Sequence, residues 1–149
     1  MRKRKLVAVL CLALLASACS TKGVATTPGK PRDEKLIQIT QTSARIEDGV
    51  TAAIKIKRAL LADGKITKDQ SAAFTDILEK VTLANQQLNS RSLKFDSFAA
   101  NRGDLLKLVE ELAGAAAGLQ GTVIGGGPEL TRVLAIISAG VAALRGLFV

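Results

Sequence analysis

The amino-acid sequence predicts an all-α fold: a small antiparallel bundle of about four helices, preceded by an N-terminal apolar segment and a flexible tether. Three observations predict it. Hydrophobic residues fill 48% of the 149 positions and aromatics only 3%, so a core must be built from Leu, Ile, Val and Ala. That composition suits helices better than a β-sandwich, which draws on Tyr, Trp, Phe and Thr. Apolar residues also recur at three- and four-residue steps in four separate stretches, and residues that start and stop helices punctuate them. One domain is the default at this length, and residues 33–149 are assigned to it.

The first helix is predicted from Asp33 to Ala62. Asp33 and Glu34 suit its N-terminus, where carboxylates meet the positive end of the helix dipole. Leu36, Ile39, Ser43, Ile46, Val50, Ala53, Ile54, Lys57, Leu60 and Leu61 fall near one stripe, with Gly49 as an interruption expected to kink it. Asp63-Gly64 ends the helix, Gly64 serving as a left-handed cap. The second helix opens at Thr67, whose spacing to Gln70 is that of a capping box. Its stripe is Phe74, Ile77, Leu78, Val81, Ala84 and Leu88, ending between Asn89 and Ser92, and Leu93, Phe95 and Phe98 are expected to plug the core from an irregular connection. The third helix spans Arg102 to Leu119, with Leu105, Leu108, Val109, Leu112 and Ala116 inward. A glycine-rich turn, Gly121 to Gly127, leads to a fourth helix. Pro128 fits its first turn because no amide donor is needed there. Leu130, Val133, Leu134, Ile137, Val141, Leu144, Leu147 and Phe148 form its apolar stripe.

Ahead of the domain, residues 1–18 have the parts of an export signal. Arg2, Lys3, Arg4 and Lys5 precede an apolar run from Leu6 to Leu15, in which Cys11 is apolar filling. The run is too short to span a bilayer, which takes about 20 residues. Ala16, Ser17 and Ala18 follow, and then Cys19. The stretch Leu14-Leu15-Ala16-Ser17-Ala18-Cys19 resembles the lipobox of bacterial lipoproteins, with Ala16 where Leu is usual. The resemblance implies cleavage before Cys19 and acylation of its thiol, often with acylation of the new amino group. Two or more acyl chains anchor stably where one binds reversibly. By the same resemblance Ser20, in place of Asp, implies the outer rather than the inner membrane of a Gram-negative host. Two other readings stay open: conventional cleavage after Ala16-Ser17-Ala18 with release to the periplasm, and an uncleaved buried helix. Residues 20–32 are small, polar and rich in Pro and Gly, and read as a tether.

Charge and residue inventory then narrow the function. The chain is formally +8, but loss of the four N-terminal basic residues leaves 17 basic against 13 acidic residues, or +4. That is ordinary solubility rather than a nucleic-acid footprint, and no aromatics interleave with basic residues to stack bases. Lys55-Ile56-Lys57-Arg58 reads as a solvated helix face. The chain has no His, and cleavage before Cys19 leaves that residue as its only cysteine. The commonest general base, metal ligand and thiol nucleophile are therefore missing. Glu47-Asp48 and Glu110-Glu111 are helix neighbours turned about 100° apart, so neither pair converges on a substrate. The loop Asp63 to Gln70 resembles half of an EF-hand, yet Ala59, Leu61 and Gln70 occupy ligand positions, so it reads as a connector. Neither an enzyme, a cofactor nor a metal is expected.

The C-terminal third is poor in charge and rich in small residues. Gly114 and Gly118 lie four apart, with Ala113, Ala115, Ala116 and Ala117 around them, and Ala139, Gly140 and Ala143 follow on the fourth helix. Small residues at this step let helix backbones approach closely. The segment weakly resembles the glycine zippers of some envelope lipoproteins. Gly114, Gly118, Leu134, Ile137, Val141 and Leu144 are thus candidates for helix packing or for membrane contact. The simpler expectation is packing of the third helix on the fourth. The expected function is a membrane-anchored envelope lipoprotein with a non-enzymatic helical module, binding an envelope protein or itself. The alternatives are a membrane-active hairpin of residues 112–149 and a secreted periplasmic helical protein.

Overall fold

A computed structural model describes residues 31–121 and 127–149. Residues 32–149 form one compact unit. The signal segment, Cys19, most of the tether and most of the glycine-rich turn lie outside the described residues. The fold is an all-α bundle of α1 (Glu34–Ala62), α2 (Lys68–Lys94), a short 3₁₀ turn (Ala99–Asn101), α3 (Arg102–Gly121) and α4 (Gly127–Gly146).

Each helix begins or ends where its side chains dictate. Asp33 caps α1, its Oδ1 accepting from the Lys35 amide at 3.0 Å. At the other end the Gly64 amide donates to Leu61 O and the Lys65 amide to Leu60 O, a Schellman closure that needs the left-handed φ of +67° at Gly64. The Thr67 capping box forms in both directions, at 3.2 Å from the Gln70 amide and 2.8 Å from the Thr67 amide. These two caps hold the α1–α2 connection tight, and Ile66 turns inward from it, 8% exposed.

Apart from Gly49 and Ala113, the buried residues repeat at alternating steps of three and four on every helix. They are Leu36, Ile39, Ser43, Ile46, Val50 and Ala53 on α1, and Ser71, Phe74, Leu78, Val81, Asn85, Leu88 and Ser92 on α2. Leu105, Val109, Leu112, Ala116 and Leu119 continue the pattern on α3, and Leu130, Leu134, Ile137, Val141 and Leu144 on α4, with Phe148 just past its end. This is the heptad seam of coiled-coil packing. Burying one Leu or Ile of this set contributes about 1.5–3 kcal/mol. Packing runs in a ring, α1 on α2, α2 on α3, α3 on α4 and α4 back on α1. The order is that of an up-down-up-down bundle.

The start of α1, the α2–α3 connection and the end of α4 share one end of the bundle. There Phe98 and Phe148 pack with their rings tilted and their centroids 5.0 Å apart, and the Lys35 ammonium lies 4.7 Å from the Phe98 centroid. The Phe98 amide donates to Asp33 Oδ2 at 2.8 Å, so one carboxylate caps α1 and pins the connection. Lys35 and Arg102 donate to the carbonyls of Leu147 and Phe148, placing two cations on the negative end of α4.

Two expectations need correction. Gly49 does not interrupt α1: the helix is continuous and the glycine is a buried notch, because a side chain there would meet Ile137. Leu93 does not plug the core. Helix α2 continues to Lys94, so Leu93 follows the buried Ser92 by one step, turned about 100° outward, and is 39% exposed. Phe95 is half-buried and Phe98 buried, as that connection was expected to place them.

Candidate interaction face

The small residues divide between an inner and an outer role. Inside, α1 and α4 interlock through two glycines. A Cβ on Gly140 would lie 2.7 Å from Ile46 Cγ1, and one on Gly49 would lie 2.9 Å from Ile137 Cγ1. Each isoleucine thus seats in the notch that the opposite helix leaves. Leu134, Ile137, Val141 and Leu144 are all core, between 0 and 6% exposed. In the bundle they pack into the core against the neighbouring helices.

Several small residues lie on the outside of α3 and α4. Gly114, Ala117 and Gly118 are exposed on α3, and Ala135, Ile136, Ala139, Ala142, Ala143 and Gly146 on α4. Ile136, 53% exposed, lies on the α1 side of α4, 3.8 Å from where a Cβ on Gly49 would stand. Gly114 and Gly118 do not pack α3 on α4. A Cβ on Gly114 would have no heavy atom within 4 Å, and one on Gly118 would lie 3.4 Å from Ile77 on α2. The heptad explains this: Ala113 and Ala116 take the inward positions, which turns Gly114 out.

A shallow groove of about 250 Å³ runs between α3 and α4, lined by Ala113, Ala116, Ala117, Ser138, Val141 and Ala142. Gln120 and Arg145 also line it. Gln120 Nε2 donates across it to Ser138 Oγ at 3.2 Å. Arg145 reaches over it to Glu110 through a two-pronged ion pair, with Nε donating to Oε1 at 3.0 Å. The hydrogen bond and the charge of Glu110 raise the pKa of the Arg145 guanidinium above its usual value. Both partners are half exposed, which leaves the link open to water and salt.

Two other depressions have charged rims. One of about 660 Å³ lies between the end of α1 and the start of α4, with Lys55, Lys65, Asp63 and Glu129 around Ile56 and Leu60. The other, of about 300 Å³, lies between α2 and α3 and is rimmed by Arg91, Asp104, Lys107 and Glu111. Their charges are of mixed sign, so neither concentrates a field on an ionic ligand. Among the described residues no three acidic side chains are grouped to share a metal.

Sequence reasoning overlooked Ser71, Asn85 and Ser92, which are 6%, 3% and 0% exposed on the α2 seam. Their exact three- and four-residue spacing with Phe74, Leu78, Val81 and Leu88 was the available signal. Comparison with protein-family models, with curated proteins and with solved structures gave no match.

Proposed function

We propose that this chain is a lipid-anchored protein of the bacterial envelope whose helical bundle serves as a non-enzymatic interaction module. The carrying observation is the run of basic residues, apolar segment and small residues that ends at Cys19 and resembles a lipoprotein export signal. The compact unit begins at Arg32, so cleavage before Cys19 would remove nothing from the folded domain. The lack of His and the loss of Cys11 with the signal fit a module that binds rather than catalyses. Such a module would meet its partner or another copy of itself through its outward surfaces, the alanine-lined groove between α3 and α4 among them.

A hairpin of residues 112–149 that inserts into lipid is a second reading. It draws on α4, which is long and apolar enough to cross a membrane, with a mean hydropathy of 1.3. Insertion would withdraw Leu134, Ile137, Val141 and Leu144 from the core, and that cost favours the peripheral module. Membrane fractionation tests the proposal. The wild-type precursor made in a bacterium is expected to stay with membranes through an alkaline wash and to leave them with detergent. The Cys19→Ala chain is expected in the soluble fraction. Equal partitioning of the two would refute the anchor.

A further inference from the structure

Among the described residues six large apolar side chains are exposed, and their placement is uneven. Ile37, Leu93, Leu106 and Val149 all lie at the end of the bundle where α1 begins, α2 ends, α3 begins and α4 ends. The other two, Leu83 and Ile136, stand in the middle of α2 and α4. The opposite end has none of the six and presents Asp63, Lys65, Lys68, Asp69 and Glu129 to solvent. With a rise of about 1.5 Å per residue, Ile37, Leu93 and Leu106 fall within about 6 Å of the apolar end, and Val149 lies past the end of α4. Phe95 and Leu147, both half-buried, add apolar surface at the same end.

The same end carries the start of the compact unit at Arg32, so residues 20–31 separate it from Cys19. A segment of that length reaches at most about 40 Å in any conformation. The opposite end stands about 43 Å further on, along the 29 residues of α1. With Cys19 held in a bilayer, the apolar end is therefore the one nearest to lipid. A linker this short gives an effective concentration on the order of millimolar, so a contact too weak for a free domain becomes populated.

We propose that, with Cys19 acylated as proposed above, this end of the bundle rests on the membrane surface, Ile37, Leu93, Leu106 and Val149 entering the boundary between headgroups and acyl chains. Their depth of about 6 Å matches the roughly 5–10 Å to which interfacial apolar groups sink. Arg91 and Lys94 flank Leu93 on the last turn of α2, at the level of the lipid phosphates. Elsewhere at this end Asp33, Glu34, Asp96 and Asp104 offset Arg32, Lys35 and Arg102. The apolar groups therefore carry the contact, and salt is expected to leave it in place. Seated in this way, the bundle stands on the membrane and turns its polar end and the α3–α4 groove outward, toward an envelope partner.

The test uses the full chain, made in a bacterium with Lys94→Cys or Arg58→Cys and recovered from its envelope. Intact mass first establishes the acyl groups on Cys19, and the introduced thiol then takes a fluorophore. The labelled chain is placed in vesicles of phosphatidylethanolamine and phosphatidylglycerol whose acyl chains carry a nitroxide quencher near the headgroup. Strong quenching is expected at residue 94 and little at residue 58. Replacing Ile37 and Leu93 together by serine is expected to lower quenching at residue 94 by about threefold or more, with acylation and helical circular dichroism unchanged. Leu106→Ser with Val149→Ser serves should the first pair fail to fold. Quenching that serine leaves intact would overturn the contact, since tethering alone would then account for it. Weak quenching at residue 94 in an acylated chain would also overturn the contact while leaving the anchor standing. A chain without acyl groups would overturn both.

Discussion

The interlock of α1 and α4 makes the same substitution act with opposite sign at two glycines. In Gly140→Ala the new Cβ falls 2.7 Å from Ile46 Cγ1 and 3.2 Å from Cδ1. Carbon atoms pack best at about 3.5–4.0 Å, so one helix or the isoleucine must move. Ile46 is fully buried, and Cγ1 is a branch of the side chain rather than its free tip. Overpacking of this kind costs about 1–3 kcal/mol. Alanine returns about 0.8–1 kcal/mol of helix propensity over glycine. The net expectation is a loss of about 1 kcal/mol, the difference of these two terms. Gly114→Ala meets no heavy atom within 4 Å and keeps only the propensity gain, so it is expected to stabilise by about 0.5–1 kcal/mol. Urea denaturation followed by helical circular dichroism measures both. The gap between the two variants isolates the packing cost, since the propensity gain largely cancels. Equal stabilisation by both alanines would refute the notch, and with it the α1–α4 interlock.

Other predictions use the same denaturation assay. Asp33→Ala removes both the α1 cap and the acceptor for the Phe98 amide, and is expected to cost about 1–3 kcal/mol, a helix cap alone contributing about 1. Ile137→Ala empties the site over Gly49 and is expected to cost about 2–5 kcal/mol. Thr67→Ala breaks the capping box and is expected to lose about 1 kcal/mol. Glu110→Gln is expected to leave the midpoint unchanged at physiological salt, because its ion pair with Arg145 is solvent-exposed.

Much of this architecture is legible in the sequence because its signals are local. The caps at Asp33, Gly64 and Thr67 involve residues a few positions apart, and the structure closes each as the spacing implies. The apolar stripe of α4 is likewise read residue by residue, since every member is Leu, Val, Ile or Phe. What escaped depends on partners distant in sequence. Gly49 reads as a helix interruption until Ile137 of α4 is placed over it. Asn85 reads as surface, as most Asn does, until the Ser43 carbonyl appears 2.9 Å from its amide. Gly114 and Gly118 suggested a helix contact by spacing alone, yet their register on α3 turns Gly114 to solvent and Gly118 toward α2. A small-residue step states that an approach is sterically allowed, not which helix makes it.

The central claim, a bundle hung from an acylated cysteine, rests on chemistry at one residue. Its most direct test is the intact mass and N-terminal residue of the processed chain, recovered from the host envelope. The account predicts a chain that begins at Cys19 and carries the added mass of two or three acyl groups, with that product missing when Cys19 is alanine. A processed chain that begins elsewhere, or one that begins at an unmodified Cys19, would contradict it.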